Sequence, residues 1–293
     1  MPEAKIGIIG GSGLYDIEGM TGIEEIELTT PFGKPSDAIL LGNLEGMRVA
    51  FLPRHGKGHR ISPSQLPAKA NIYALKSLGV ERIISVSAVG SLSEGIKPLD
   101  LVIPDQLIDR TQGRDSTFFA RGIVVHVAFA EPFCPVLSQI LFEAATEAGA
   151  KVHKGGTFLA MEGPQFSTKA ESRLYRAWGA DIIAMTALPE AKLAREAEQC
   201  YATLALVTDY DCWHSGYELV STEMILTNIR KGVDIAKRVL KLAIPLVPQR
   251  RDCECATALK GAIATSPSYI SEEAKRDLGL LIGKYLGKEG DVV

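Results

Sequence analysis

The sequence predicts an α/β fold, and three observations predict it. Short apolar runs rich in Ile, Val, Leu and Thr alternate with amphipathic segments from one end of the chain to the other. Each apolar run stops at a cluster of glycines or polar residues, as strands do where they hand over to a loop. Proline and glycine stand at opposite ends of the amphipathic segments, the asymmetry of helix starts and stops. A chain of 293 residues that is 46% hydrophobic and 23% charged can bury a sizeable core. No internal repeat or linker divides it, so residues 1–293 are expected to form one domain, with about 246–293 as a C-terminal helical appendage.

In chain order, Lys5 to Ile9 reads as the first strand and runs into Gly10-Gly11-Ser12-Gly13. Arg48 to Pro53, Arg82 to Ser87, Thr157 to Met161, Asp181 to Ala184 and Thr203 to Thr208 are the further strands. Pro67 opens a helix that closes at Gly79, and Pro135 opens one that closes at Gly149. Thr168 with Glu171 forms a capping box for a helix stopped by Gly179. Ile225, Ile229, Val233, Ala236, Leu240 and Ala243 recur at helical spacing from a Ser221/Thr222 start to Pro245, which lays one apolar stripe on the core. A polar stretch, Pro248 to Asp252, then leads to a last amphipathic piece from about Ser271 to Leu286.

A net charge of −3 without long runs of one sign gives no footprint for nucleic acid or a membrane surface, so a small-molecule ligand is expected. The apolar start at Ile6 is too short to span a bilayer and lacks a signal-peptide cleavage pattern, which makes a cytoplasmic protein the expectation. Five cysteines are too few and too scattered for a secreted disulfide scaffold. The close pair Cys253 and Cys255 reads either as incidental thiols or as a strained, redox-active bridge. Two cysteines without partner ligands do not make a closed zinc site, so no metal is expected there. His55 and His59 have a metal-ligand spacing, but Gly56 and Gly58 argue against the helix that would present them together.

Four strand ends carry groups suited to an anion. The loop from Gly10 to Gly13 lets backbone N–H groups approach a ligand, and Ser12 adds a hydroxyl. It lacks the third glycine of a dinucleotide fingerprint, and Asp16 would oppose a pyrophosphate, so no Rossmann dinucleotide cofactor is expected. Arg54 and His55 follow the strand ending at Pro53, where a guanidinium offers a planar fork for phosphate oxygens. Ser87 and Ala88 follow a third strand, and Met185 and Thr186 a fourth, with Pro189 near a helix start. Their convergence would build one phosphate site. Asp209 and Asp211, two carboxylates at i, i+2 after the strand ending at Thr208, point the same way if the segment is extended and are the best acid/base candidates.

These motifs closely resemble those of the S-methyl-5′-thioadenosine phosphorylases of the purine nucleoside phosphorylase family. The residues that carry the resemblance are Ile8 to Gly13, Thr30 to Ser36, Arg54-His55-Gly56, Glu131 to Cys134, Glu162 to Ser167, Met185-Thr186 with Pro189-Glu190, and Thr208 to Trp213. The resemblance implies a nucleoside phosphorylase fold, a mixed central sheet surrounded by helices, assembled as homotrimers or hexamers. It implies phosphorolysis of methylthioadenosine, with inorganic phosphate as co-substrate and no cofactor. By motif, phosphate would be held by Ser12, Arg54, His55, Ser87, Ala88 and Thr186. The purine would lie by Phe166 and Ser167 and against Met185, its edge read by Asp209 and Asp211. His126 of a neighbouring subunit would help close a 5′ pocket lined by Thr222 and Ile225.

Charge dictates the chemistry that such a site would perform. Breaking the glycosidic bond makes an oxocarbenium-like sugar and an electron-rich purine, which calls for an anion beneath the sugar and a proton donor at purine N7. Asp209 suits the donor if burial or Asp211 raises its pKa. Two residues depart from the family pattern. Ala184 stands where animal relatives often have asparagine, and Thr222 takes the place of a valine, so its hydroxyl could accept the 5′-OH of adenosine.

Overall fold

The computed structural model describes residues 4–11, 14, 19–120, 122–216 and 220–286. They contain eleven strands in one mixed sheet, flanked by six α-helices. The first half supplies β1 (Ile6–Gly10), β2 (Thr21–Ile26), β3 (Ile39–Leu44), β4 (Met47–Pro53), α1 (Ala68–Ser77) and β5 (Arg82–Ser91). Next come β6 (Leu101–Ile103), β7 (Gln106–Arg110), α2 (Pro135–Glu147), β8 (Val152–Lys154) and β9 (Thr157–Met161). The remainder is α3 (Lys169–Ala177), β10 (Ile182–Ala184), α4 (Glu190–Glu196), β11 (Cys200–Asp209), α5 (Thr222–Leu246) and α6 (Glu272–Leu286).

Side-chain alternation along the central strands serves two cores. In β11, Tyr201, Ala205 and Val207 join the cluster built by α1, α4 and α6, while Ala202, Leu204 and Leu206 face α2 and α5. All ten residues of β11 are buried, which is why this strand reads as a continuous apolar run. The residues of α6 that meet the core, Leu278, Leu281 and Ile282, lie in the same cluster as Ile9, Leu52 and Ile83. The last helix is therefore packed into the body of the molecule.

The helix ends follow the expected chemistry. Thr168 accepts from the Glu171 amide while the Glu171 carboxylate accepts from the Thr168 amide, the reciprocal box that starts α3. Ser221 caps α5 through the Met224 amide. Pro245 falls within the last turn of that helix and does not stop it until Val247.

β5 is the hinge of the topology. One edge pairs with β11 from Arg82 to Gly90. The other edge pairs with parallel β1 only as far as Val86, and antiparallel β10 takes it up again at Gly90 and Ser91. Between these two partners, Ser87, Ala88 and Val89 have no neighbouring strand on that edge, and a cavity opens there. The sequence reading ends this strand at Ser87; it runs four residues further because the pairing with β11 and β10 overrides the local signal of Ala88, Gly90 and two serines.

Candidate active site

The cavity at the β5 gap has a volume of about 520 Å³, within the ~300–1,000 Å³ range of small-molecule sites. Every strand end singled out above reaches it: Gly11 past β1, Arg54 and His55 past β4, Ser87 and Ala88 on β5, Met185 and Thr186 past β10, and Asp209 and Asp211 at the end of β11. Phe166, Thr222 and Ile225 line it as well. Ser12 lies outside the described residues. Ser167 and His126 are not on the cavity wall. Ser167 sits behind Asp211, with its hydroxyl 3.6 Å from Met161 Sδ and its carbonyl accepting from the Cys212 thiol. His126 is exposed, on a segment tied by its amide to the Ala262 carbonyl.

Arg54 corrects one expectation. The sequence assigns its guanidinium to an anion as a planar fork, but the side chain is 1% exposed and engaged with protein groups. Nε donates to Glu190 Oε1 at 2.6 Å and Nη2 to Glu190 Oε2 at 3.2 Å, a bidentate pair. Nη1 donates to the Val86 carbonyl and Nη2 also to Ser85 Oγ at 2.7 Å. Tyr201 donates its hydroxyl to the same Glu190 at 2.8 Å. Arg54 thus lends the cavity a rigidly held positive charge, and it fixes the carbonyl at the point where β1 leaves β5. Glu190 carries this arrangement and had no assigned role, although a lone acid in the apolar run Ala187 to Ala194 was a visible signal.

His55 Nδ1 lies 2.9 Å from the Ile61 carbonyl, which only accepts, so that nitrogen carries the proton and Nε2 is the acceptor of the neutral ring. Burial and then the Arg54 charge push the His55 pKa down to about 4, and the ring is neutral near pH 7. It stacks on His59 at 4.2 Å, and His59 also lines the cavity. Thr186 Oγ1 donates to Ser87 Oγ at 3.0 Å, joining two of the hydroxyls assigned to the anion.

The two acids are positioned by a bulge. The β11–β5 register runs one to one to Val207 opposite Val89, then skips so that Asp209 faces Gly90. The expected extended segment with both carboxylates on one face does not occur: β11 ends at Asp209 and Asp211 has φ 51°, in a turn. Both side chains reach the cavity by this bent path. Thr208 Oγ1 donates to Asp209 Oδ2 at 2.7 Å, the Asp211 amide donates to Oδ1 at 2.8 Å, and Asn228 of α5 holds the Thr208 carbonyl at 2.6 Å. Gly90 is required beneath them, since a Cβ there would stand 2.8 Å from Asp209 Oδ1. Burial raises the pKa of Asp209 and the Asp211 charge adds to it, outweighing the two hydrogen bonds to the carboxylate. Asp211 is raised by burial too, with the polar groups of Ser172, Cys212 and Ser167 around it opposing the shift.

Arg114 is a second residue that sequence reasoning missed, because an arginine in a polar stretch carries no local signal. Nearly buried, it donates to Glu162 Oε2 at 2.9 Å and to the carbonyls of Met185 and Leu188, both at 2.8 Å. One guanidinium thereby ties the end of β9 to the loop after β10. The rest of the wall is apolar: Leu14, Leu206, Ile225, Leu226, Ile229 and Val233. Polar groups for an anion, buried acids and an apolar wall in one cavity suit a ligand with a charged, a hydrogen-bonding and a greasy part.

Residues 5–245 match the model of the phosphorylase superfamily. A protein of Koribacter versatilis named S-methyl-5′-thioadenosine phosphorylase is 53% identical over 287 residues, covering 98% of each chain. Among solved structures, a methylthioadenosine phosphorylase from an Antarctic soil metagenomic library superposes with a TM-score of 0.92 at 51% identity, covering 96% of this chain and 99% of that one. A variant adenosine/methylthioadenosine phosphorylase of Schistosoma mansoni in complex with methylthioadenosine gives a TM-score of 0.81 at 38% identity, covering 88% and 96%.

Proposed function

The chain belongs to the phosphorylase superfamily, and from that premise we propose that it cleaves the N-glycosidic bond of S-methyl-5′-thioadenosine with inorganic phosphate, releasing adenine and 5-methylthioribose 1-phosphate. It is an S-methyl-5′-thioadenosine phosphorylase-type pentosyltransferase. The observation that carries the reading is the pair of buried acids with raised pKa values, Asp209 and Asp211, in the same cavity as the Arg54, Ser87 and Thr186 corner.

Phosphate binds at that corner, held by the hydroxyls of Ser87 and Thr186, the amides near Gly11 and Ala88, and the field of Arg54, with Ser12 completing the set. The accepting Nε2 of neutral His55 receives a protonated phosphate oxygen. Phosphate then serves twice: its charge stabilises the oxocarbenium-like sugar, and its oxygen becomes the new bond at C1. Asp209 delivers a proton to N7 as electrons flow into the purine, and Asp211 accepts from the 6-amino group. A 6-oxo purine would set oxygen lone pairs against these acids, so inosine is a poor substrate. No further cofactor is required.

The apolar wall of Ile225, Leu226 and Val233 receives the methylthio group. Thr222 on that wall supports a second substrate, since its hydroxyl can accept the 5′-OH of adenosine, and an apolar pocket rejects an added hydroxyl only ~10²-fold in any case. A cytoplasmic location and a trimer or hexamer, with His126 reaching a neighbour's cavity, belong to the same proposal. The deciding assay measures free base from methylthioadenosine, adenosine and inosine with and without orthophosphate. Adenine released equally fast without phosphate sinks the reading. A specificity ratio above ~10⁴ for the thioether over adenosine sinks the role given to Thr222.

A further inference from the structure

We propose that Cys134, Cys200, Cys253 and Cys255 form a tetrathiolate zinc site that fastens the C-terminal segment to the end of the sheet remote from the active site. In the sequence Cys253 and Cys255 have no partner ligands nearby; the fold supplies them. Their four Sγ atoms all lie within 4.8 Å of one another. Tetrahedral zinc with bonds of about 2.3 Å sets its sulfurs about 3.8 Å apart, so shifts of at most about 1 Å, inward for the widest pair and outward for Cys200 and Cys253, close the shell. All of the cysteines are free thiols, and Cys200 approaches Cys253 to 3.3 Å, beyond the roughly 2.05 Å of a disulfide.

Three separate pieces of chain meet here. Cys134 is the residue before α2, Cys200 is the first residue of β11, and Cys253 and Cys255 belong to the short 3-10 turn after α5. The Cys134 amide donates to the Tyr201 carbonyl at 2.8 Å, which locks the first two ligands together before any ion arrives. Binding is a proton exchange: one Zn²⁺ displaces four thiol protons to solvent and leaves a complex of net charge −2. That charge needs a positive surround. A cavity of about 130 Å³ lined by Cys134, Cys200 and Cys253 is also lined by Arg82, Arg250 and Arg251, with Asp252 opposite Arg250. Arg82 is buried and occupies the register position facing Cys200. Soft thiolates in a closed set of four select zinc over the hard divalent cations.

Cys200 stands nine residues before Asp209 on one strand, about 30 Å at ~3.3 Å per residue, so the ion acts on stability and not on the chemistry. The full chain, purified under anaerobic reduction with zinc sulfate and then desalted, is expected to retain about one zinc per chain by plasma mass spectrometry, and Cys255→Ser less than a tenth of that. Cobalt exchanged into the native chain should give thiolate-to-metal charge-transfer absorption in the near ultraviolet, a readout that needs no variant. Stripping the ion with a chelator should lower Tm while kcat/KM for methylthioadenosine stays unchanged. Retention of under a tenth of a zinc by the reduced native chain overturns the proposal, whether its four sulfurs titrate as thiols or pair as two disulfides in air. Undiminished zinc in Cys255→Ser overturns it equally.

Discussion

Asp209 is held in place from three directions, by Thr208, by the Asp211 amide and by the absence of a side chain at Gly90. Its raised pKa means that the protonated acid survives to higher pH than in a free aspartate, so turnover should fall as pH rises through that value. Asp209→Asn is expected to lose ~10²-fold or more in kcat and to lose that alkaline limb of the profile. Turnover at the native level in this variant removes Asp209 from the role of acid. Stability follows the same direction: a carboxyl whose folded pKa exceeds its unfolded one stabilises in full below the unfolded value, and the contribution disappears as pH rises through the folded value. Arg54 calls for a different test, because Glu190 is buried with it. Arg54→Ala should both raise the phosphate requirement and cost about 3–5 kcal/mol, since it strands a buried carboxylate. Adding Glu190→Ala should return much of the Tm but not the phosphate affinity. A single variant as stable as the native chain would show that the ion pair does not hold this corner together.

Elements were legible where one local signal sufficed and obscure where pairing made the decision. The capping box at Thr168, the Pro135 start and the apolar stripe of α5 all recur in the fold because each is a short-range effect. Edge strands such as β2, with the exposed Thr21, Gly22, Glu24 and Glu25, carry no apolar pattern and form only by pairing with β3. Eleven of the fourteen proposed site residues line one cavity, because the carboxyl ends of neighbouring strands converge; the bulge that aims Asp209 and the buried partners Glu190 and Arg114 come from tertiary structure and left no periodic trace. Close helix-to-sheet contact is a further product of tertiary structure. Gly232 of α5 lies against Leu206, and an added Cβ would stand 2.6 Å from its Cδ1. Gly232→Ala should therefore lower stability by about 1–3 kcal/mol through overpacking, although alanine gains ~1 kcal/mol in an unconstrained helix. A Tm equal to or above native would mean that Leu206 yields freely.

For the molecule as a whole, the described residues leave the cavity open on one side. Phe166 and Leu226, at 39% and 38% exposure, sit on its rim with apolar surface in water, and His126 is exposed away from the wall, as is Val124. Apolar rims of this kind favour association when a second surface can cover them. The trimer proposed above would make activity a property of the oligomer: turnover per chain should then fall on dilution in step with the loss of the trimer seen by light scattering. His126→Ala should raise KM for methylthioadenosine and leave KM for phosphate unchanged, since the role proposed for it lies at the 5′ end of the nucleoside and not at the anion. Mixing that variant with an Asp209→Asn chain should restore a fraction of the native sites, since some interfaces then pair an intact Asp209 with an intact His126. Full activity in a monomer, or no recovery in the mixture, would assign the whole site to a single chain.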